Sequence, residues 1–326
     1  MSAPAFDLAD YRPADALSLW WLARPEQPVL IGTLMTVRAS RGVSLRYAPG
    51  WLKSGFALSE DLPLREMEFL PAGKDTAAGA VDDARPDRWG ERVIRVLDKP
   101  PCLSLLDYLF YAGDERFGAL GVSVSDQIYL PRRLGPLPDL GDVSTIAVLV
   151  HSILAGESVP PRQRRLIAPD VTLGGARPKA LIEMAGAQWL VKFAEPGDDV
   201  DTPLIEHATM TLAATAGIRV APTRAIALPR GQAVAVQRFD REAHLRRHAL
   251  SAHVELRAAG AEMGYPELAQ LLRRRGVVQD GVSQAQQHEL FRRINVQHPD
   301  RQYRRPRKEP CPAHDRRLLL RTGPRL

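Results

Sequence analysis

Residues 174–193 read GGARPKALIEMAGAQWLVKF, and this stretch decides how the second half of the chain is interpreted. A pair of glycines precedes two apolar runs. A turn at Gly186 separates the runs, and the second of them ends at Lys192 and Phe193. Short apolar runs bounded by turn residues are typical of β-strands. The stretch therefore predicts a β-hairpin that a glycine-rich turn precedes.

The residues after this hairpin predict a small mixed lobe. Thr202-Pro203 provides a helix start with proline at the first helical position, and Gly217 ends that helix. Two strand-like runs follow, over residues 218–228 and 233–239. The spacing of its small and apolar residues predicts that the helix turns five residues inward. These residues are Ile205, Ala208, Thr209, Leu212 and Ala216.

The order of these elements indicates nucleotide chemistry. A glycine-rich turn, a strand ending in Lys192, a helix bearing Glu206 and further strands form the layout of a protein-kinase small lobe. Glycine N–H groups can approach phosphates, a lysine can neutralise them, and a glutamate can hold that lysine. Gly174-Gly175 matches neither the P-loop nor the kinase glycine pattern. The pattern alone thus leaves open that Lys192 is an ordinary strand-end lysine and Glu206 a solvated helix residue.

The rest of the chain divides by composition. Residues 20–70 predict short strands, and residues 128–141 contain three prolines and two glycines, as expected of a linker. Helices are predicted over residues 266–274 and 283–294. The predicted organisation is an N-terminal subdomain, a linker with a helix, a kinase-like domain and a disordered basic tail, over residues 1–127, 128–165, 166–296 and 297–326.

Charge and composition exclude several classes of protein. The net charge is +6, and residues 297–326 carry all of it, with nine basic and three acidic side chains. A nucleic-acid footprint is expected as a basic face on a folded domain, which this distribution does not predict. Apolar residues make up 45%, two cysteines exclude a disulfide framework or a zinc site, and no apolar run predicts a membrane helix. The acidic N-terminus does not resemble a signal peptide, so we expect a cytoplasmic protein.

Several segments in combination resemble the HipA-type toxin kinases, the serine/threonine kinases of bacterial toxin–antitoxin pairs. Three segments resemble the phosphate loop, the ATP-lysine strand and the adenine hinge of this family: residues 174–180, 189–193 and 236–241. Three more resemble its first subdomain: residues 58–64, 86–90 and 117–120. The resemblance covers roughly residues 15–295.

The resemblance implies an α+β fold, with a β-rich N-terminal subdomain, a kinase-like mixed small lobe and an incomplete helical C-lobe. It implies transfer of the γ-phosphate of ATP to protein serine, with Mg²⁺ in the intact family. It also implies a protein substrate and a DNA-binding antitoxin, through which contact with DNA is indirect. Thr172 takes the place of a regulatory serine that is phosphorylated. The implied nucleotide contacts are Gly174, Gly175, Lys179, Lys192, Glu206, Arg238, Phe239 and Asp240.

The resemblance fails after residue 296. The family carries its catalytic aspartate and a metal-binding asparagine in a segment similar to D-D-H-x-K-N, whereas residues 297–311 read QHPDRQYRRPRKEPC. No catalytic base and no metal ligand can be named, so we expect the chain as written to transfer no phosphate. One back-translation of residues 297–311, read after dropping one base, gives SILIDNTDDHEKNH. We therefore hypothesise a frameshift near Val296. The alternative is a non-catalytic antitoxin- or DNA-associated binding module.

Overall fold

The computed structural model describes residues 11–98, 103–132, 135–167, 175–276 and 281–302, the last six of these by their backbone only. Within these ranges, α-helices accompany a five-stranded, a four-stranded and a two-stranded sheet, and every strand pairing within them is antiparallel. The α+β class predicted from the sequence is confirmed.

The N-terminal half is built on the five-stranded sheet. Its strands are β1 (Ala16–Trp21), β2 (Val29–Val37), β3 (Gly42–Tyr47), β4 (Glu68–Phe69) and β5 (Leu120–Ser123), in the order β4-β3-β2-β1-β5. Its helices are α1 (Pro49–Ser54), α2 (Arg88–Leu97) and α3 (Leu105–Tyr111). A reciprocal cap between Ser104 and Asp107 starts α3, and the Tyr11 hydroxyl donates to Asp107 at 2.6 Å. Polar capping thus fixes α3 where its buried residues Leu106 and Phe110 join the sheet's core.

Residues from the other end of the chain complete this core. Leu250 and Val254 are buried in the same apolar cluster as the five-stranded sheet. The backbone N–H and hydroxyl of Ser251 donate to Asp83 at 2.6 and 2.7 Å. Ser251 also caps helix α6 (Ala252–Ala258). The N-terminal half therefore closes its core only with residues that follow the kinase-like sheet.

The four-stranded sheet contains the hairpin that the sequence predicts before and after Gly186. Its strands are β6 (Lys179–Met184), β7 (Ala187–Phe193), β8 (Thr223–Ala227) and β9 (Gln232–Gln237), in the order β6-β7-β9-β8. β6 and β7 form the predicted hairpin. Its two-residue turn has φ of 54° at Ala185 and 72° at Gly186, as a type I′ turn requires. The register pairs Lys179 directly with Lys192.

The segment predicted as a linker and a helix packs against both halves. Tyr129 is buried beside Trp20, and Arg132 forms an ion pair with Asp98 at 3.0 Å. Helix α4 (Val143–Ala155) ends at Gly156 in the left-handed conformation. Its buried apolar face joins residues of α2 and of the four-stranded sheet in one cluster. The predicted domain boundaries stay a prediction.

Helix α5 (Thr202–Thr215) begins after Asp201, whose side chain accepts from the backbone of Leu204. The predicted inward face is wrong, since Ile205 is 43% and Leu212 65% exposed. The buried residues of the helix are Pro203 and Ala213, and polar residues also make contacts to the sheet. Glu206 hydrogen-bonds to a strand residue, as described below, and His207 hydrogen-bonds to Thr223 at 2.8 Å. Apolar spacing alone could not detect these contacts.

The last described helices follow the two-stranded sheet. These elements are β10 (Arg241–Glu242), β11 (Leu245–Arg246), α7 (Tyr265–Arg275) and α8 (Val282–Gln302). The sequence predicted that the last helix ends at residue 294 and that disorder begins at residue 297. The backbone instead continues helical to Gln302, through Pro299, which has no N–H to donate within the helix. Residues 303–326 lie outside the described residues. Among the helices described, none is both long and apolar enough to cross a membrane.

Candidate functional site

Lys192 and Glu206 form an ion pair between the central strand β7 of the four-stranded sheet and helix α5. Lys192 lies on β7 between Val191 and Phe193, whose side chains are buried on the opposite face because strand residues alternate. α5 packs along β8 and β9 and brings Glu206 over this position. The distance from Lys192 Nζ to Glu206 Oε1 is 2.5 Å, and both side chains are only half-buried. The pairing expected from the sequence is present.

The cross-strand partner Lys179 has a different environment. Its Nζ lies 2.6 Å from Asp87 Oδ2 and 3.1 Å from the Gly175 carbonyl oxygen, and the Trp89 indole donates to its backbone carbonyl at 2.7 Å. Asp87 also caps α2 of the N-terminal half through Gly90 N–H. The resemblance implies that Lys179 contacts the nucleotide, and this role stays a prediction. In the structure its side chain is buried, and a carboxylate 92 residues away along the chain neutralises its charge inside the protein.

Gly175 is the part of the predicted phosphate loop that the structure describes. Its φ is +108°, a conformation that L side chains rarely adopt, so a glycine is needed there. Its carbonyl oxygen accepts from Lys179, as described above, which fixes the direction of the peptide. Gly174 and Thr172 lie outside the described residues, so their predicted roles stay predictions.

A second ion pair joins this segment to the loop before α5. Arg177 donates from both terminal nitrogens to Asp198, at 2.7 and 2.9 Å. Its Nη1 also donates to the Thr202 hydroxyl at 2.9 Å. This hydrogen-bonded guanidinium lowers the pKa of Asp198 to about 2. Sequence analysis missed the pair, although Glu195-Pro-Gly-Asp198 is a recognisable turn sequence that places a carboxylate just before the helix.

The predicted adenine hinge directs its charged side chains away from Lys192 and toward the N-terminal half. Arg238 and Asp240 are buried and hydrogen-bond to each other at 2.8 and 2.9 Å, and Asp240 accepts from Gly118 N–H at 2.9 Å. Burial raises the pKa of Asp240, but the guanidinium groups of Arg238 and Arg241 outweigh it and hold that pKa well below its usual range. These side chains join the two halves.

The backbone of the same hinge is partly occupied. Arg238 N–H donates to the Gln188 carbonyl, and the Asp240 carbonyl accepts from Arg247 N–H. Phe239 packs edge-on against a phenylalanine of the N-terminal half. The Arg238 N–H and the Asp240 carbonyl oxygen thus already have partners within the protein. The hinge's role in adenine binding stays a prediction.

Comparisons with known proteins agree with the two-part architecture. Residues 27–123 match the HipA N-terminal domain, and residues 171–298 match the HipA-like C-terminal domain. Together the two matches cover more than half of the chain. The chain belongs to the HipA family. The resemblance inferred from the motifs is thereby confirmed, and the C-terminal match of this HipA-family chain ends close to Val296, where its sequence departs from the family pattern.

A solved structure supports the same fold. The HipA-family chain is similar to a chain in the complex of the Shewanella oneidensis MR-1 toxin–antitoxin proteins HipA and HipB with operator DNA, with a TM-score of 0.50 and 20% identity. The match covers 79% of this chain and 64% of that chain. At this identity the likeness shows a shared fold. None of the curated proteins compared with the chain matches it.

The magnesium ion that the HipA family implies has no recognisable ligand set in the described ranges. Hard divalent cations take several oxygen ligands, chiefly from carboxylates. No group of three or more histidine, cysteine, aspartate or glutamate side chains is placed to hold a metal there.

Proposed function

We propose that this chain is a HipA-type toxin whose kinase-like small lobe binds ATP. The observation that carries the proposal is the Lys192–Glu206 pair, formed between strand β7 and helix α5, which packs on β8 and β9. This is the arrangement by which a kinase small lobe presents a lysine to the α- and β-phosphates. The half-buried state of both side chains supports access for a ligand.

Each residue has a separate task in this proposal. The Lys192 ammonium binds phosphate oxygens, while Glu206 keeps its long side chain in one orientation, so less rotamer entropy is lost on binding. Gly175 lets the backbone approach the phosphates. Lys179 acts indirectly, because its contact with the Gly175 carbonyl fixes the peptide that faces the ligand.

Transfer of the γ-phosphate to a protein serine is proposed as the activity of an intact HipA-family chain and is not expected of the chain as written. The chain as written offers no catalytic base that we can name, so we expect it to bind ATP and transfer nothing. According to the frameshift hypothesis, the missing catalytic-loop residues are encoded in a shifted reading frame that begins near codon 297. Deleting one base near codon 297 is expected to restore a frame through D-D-H-E-K-N, and the restored protein is expected to autophosphorylate. A downstream DNA sequence without such a frame would refute the hypothesis.

The proposed partner is a DNA-binding antitoxin. Support comes from the solved complex, which contains HipA, HipB and operator DNA. The competing proposal is a non-catalytic binding module that keeps only this partnership. The hinge side chains support it, because their buried contacts join the two halves of the chain. Only the ATP-binding proposal requires affinity for nucleotide that depends on Lys192.

Titration calorimetry with ATP separates the two proposals. We expect Lys192→Met to lower ATP affinity at least tenfold, the scale of a charge-assisted hydrogen bond, because no neutral side chain replaces the ammonium. Lys53→Met is the matched control, since Lys53 is an exposed lysine on α1 of the N-terminal half. Equal affinity in both variants would overturn the nucleotide role of Lys192 and favour the binding module.

A further inference from the structure

Arg177 reaches out of the glycine-rich segment toward the helix that carries Glu206. Its guanidinium forms a two-pronged contact with Asp198 and also donates to Thr202, the first residue of α5. Such a fork fixes both distance and orientation, which a single lysine contact does not. The segment is therefore attached to the start of α5.

The receiving loop is built to hold its carboxylate in place. Glu195 to Asp198 form a turn closed by a 3.1 Å backbone hydrogen bond, with proline second and Gly197 third at φ +90°, as in a type II turn. Asp198 Oδ2 also accepts from Glu195 N–H at 2.9 Å and from the Thr202 hydroxyl at 3.2 Å. The Asp198 carboxylate thus ties the loop, α5 and Arg177 together.

Arg177 and the Lys192–Glu206 pair lie in one electrostatic cluster. Thr202 and Glu206 are four residues apart in α5, so their side chains lie along the same face of the helix. The pKa of Arg177 is raised, first by its hydrogen bond to Asp198 and further by nearby charges that include Glu206. A shift of α5 would consequently move Glu206 and the anchor of Arg177 together.

We propose that Arg177 is a positioning residue that couples the glycine-rich segment to the Lys192–Glu206 pair, so that both reach the phosphate-binding arrangement together. The inference rests on the proposed ATP site. Lys179 holds the other end of the segment against Asp87 of the N-terminal half. The segment between Gly175 and Lys179 is thus attached to the N-terminal half through Lys179, to β7 through the Pro178 carbonyl and to the start of α5 through Arg177.

The first test compares ATP with adenosine, which lacks the phosphates. Arg177→Ala and Asp198→Asn are each expected to weaken ATP binding about tenfold, which corresponds to the loss of one charge-assisted hydrogen bond. Adenosine binding is expected to stay within about twofold of the wild-type affinity. Asp199→Asn is the matched control, since it removes the same charge from the adjacent, exposed aspartate. A rise in ATP affinity in Asp198→Asn would overturn the proposal, because it would mean that Asp198 keeps Arg177 away from the phosphates.

Arg177→Lys separates positioning from charge. It keeps the positive charge but loses the planar fork, so we expect it to bind ATP as weakly as Arg177→Ala. Recovery of the wild-type affinity in Arg177→Lys would show that a point charge suffices and would overturn the positioning role.

Hydrogen exchange of the ligand-free protein tests the coupling without nucleotide. In Arg177→Ala we expect faster amide exchange both in residues 175–178 and in the first turn of α5, whereas Lys192→Met leaves residues 175–178 unchanged. Faster exchange confined to residues 175–178 would overturn the coupling. If the wild-type chain binds no ATP, the proposed function fails, while this measurement still decides whether Arg177 joins the two elements.

Discussion

Two lysines face each other across the β6–β7 hairpin, and they belong to two different regions. Lys179 lies in the contact between the halves, where it is 2% and its partner Asp87 7% exposed. Lys192 lies beside α5, where it is 21% and Glu206 32% exposed. The two pairs have nearly equal lengths, 2.6 and 2.5 Å.

The two ion pairs differ in their exposure to solvent. A buried ion pair has lost its hydration, so removing one partner leaves an uncompensated charge in a medium of low polarity. A half-exposed pair keeps part of its hydration and can exchange water for a charged ligand. Lys179 is thus suited to holding the halves together and Lys192 to binding. Residue type and strand register are the same, so the position of the partner decides the role.

The largest expected effect is that of Lys179→Met on stability. The variant leaves Asp87 buried without its lysine, so we expect the free energy of unfolding to fall by about 3–5 kcal/mol. Urea denaturation followed by tryptophan fluorescence measures it. Adding Asp87→Asn should recover part of the loss, since asparagine can still cap α2. A loss below about 1 kcal/mol would contradict the contrast between the two pairs.

A histidine in the contact between the halves is expected to make the stability of the protein depend on pH. His248 is partly buried, its Nε2 lies 3.2 Å from the Leu58 carbonyl oxygen, and desolvation lowers its pKa from 6.5 to about 4. Below pH 6.5 the unfolded chain takes up a proton that the folded protein does not accept until about pH 4. Stability should therefore fall by up to about 3 kcal/mol as the pH drops through this window.

The control for this prediction is His248→Gln, which cannot titrate. Its free energy of unfolding should change less than that of the wild type between pH 6.5 and pH 4, whatever its absolute stability. Parallel pH profiles for the two proteins would mean that His248 is not the group responsible.

Lys192→Met tests whether the more exposed Lys192–Glu206 pair contributes little to stability. Because the pair is half-exposed, we expect its loss to change the free energy of unfolding by no more than about 1 kcal/mol. The measurement is the same urea titration as for Lys179→Met, run without nucleotide. A loss as large as that of Lys179→Met would mean that Lys192, too, is chiefly structural.

The smallest expected effect concerns residues 303–326, which belong to neither region. Their sequence is rich in arginine and proline and has no apolar periodicity. We expect their deletion to change the free energy of unfolding by less than about 0.5 kcal/mol, as for neutral surface changes. A clear loss of folded signal would show that these residues pack against the rest and would count against the frameshift hypothesis.

The sequence predicted the parts of the site that depend on local order along the chain. The hairpin, its turn at Gly186, and the pairing of Lys192 with Glu206 follow from neighbouring elements with recognisable signals. The Asp87–Lys179 and Asp240–Gly118 contacts were missed, because their partners lie 92 and 122 residues apart and carry no pattern of their own. Only the folded chain brings such residues together.

The error in the inward face of α5 has a physical origin. That face was assigned from apolar spacing, whereas Glu206 accepts a hydrogen bond from Lys192 and His207 is hydrogen-bonded to Thr223. Polar side chains thus contribute to the packing of this helix, and apolar periodicity gives such residues no weight. The buried contacts of Arg238 and Asp240 between the halves show no periodic pattern either, and the role of the hinge in adenine binding stays a prediction.

The insertion of Leu250 and Val254 into the N-terminal core bears on how the protein is made. A ribosome releases residues 11–123 long before it has synthesised residue 254. The five-stranded sheet therefore emerges without Leu250 and Val254 in its apolar core and without the hydrogen bonds from Ser251 to Asp83. Exposed apolar surface of this kind is prone to aggregate or to recruit chaperones. The first half of the chain is thus the earliest to be synthesised and among the last to be finished, and any nascent chain halted before residue 254 would leave it incomplete.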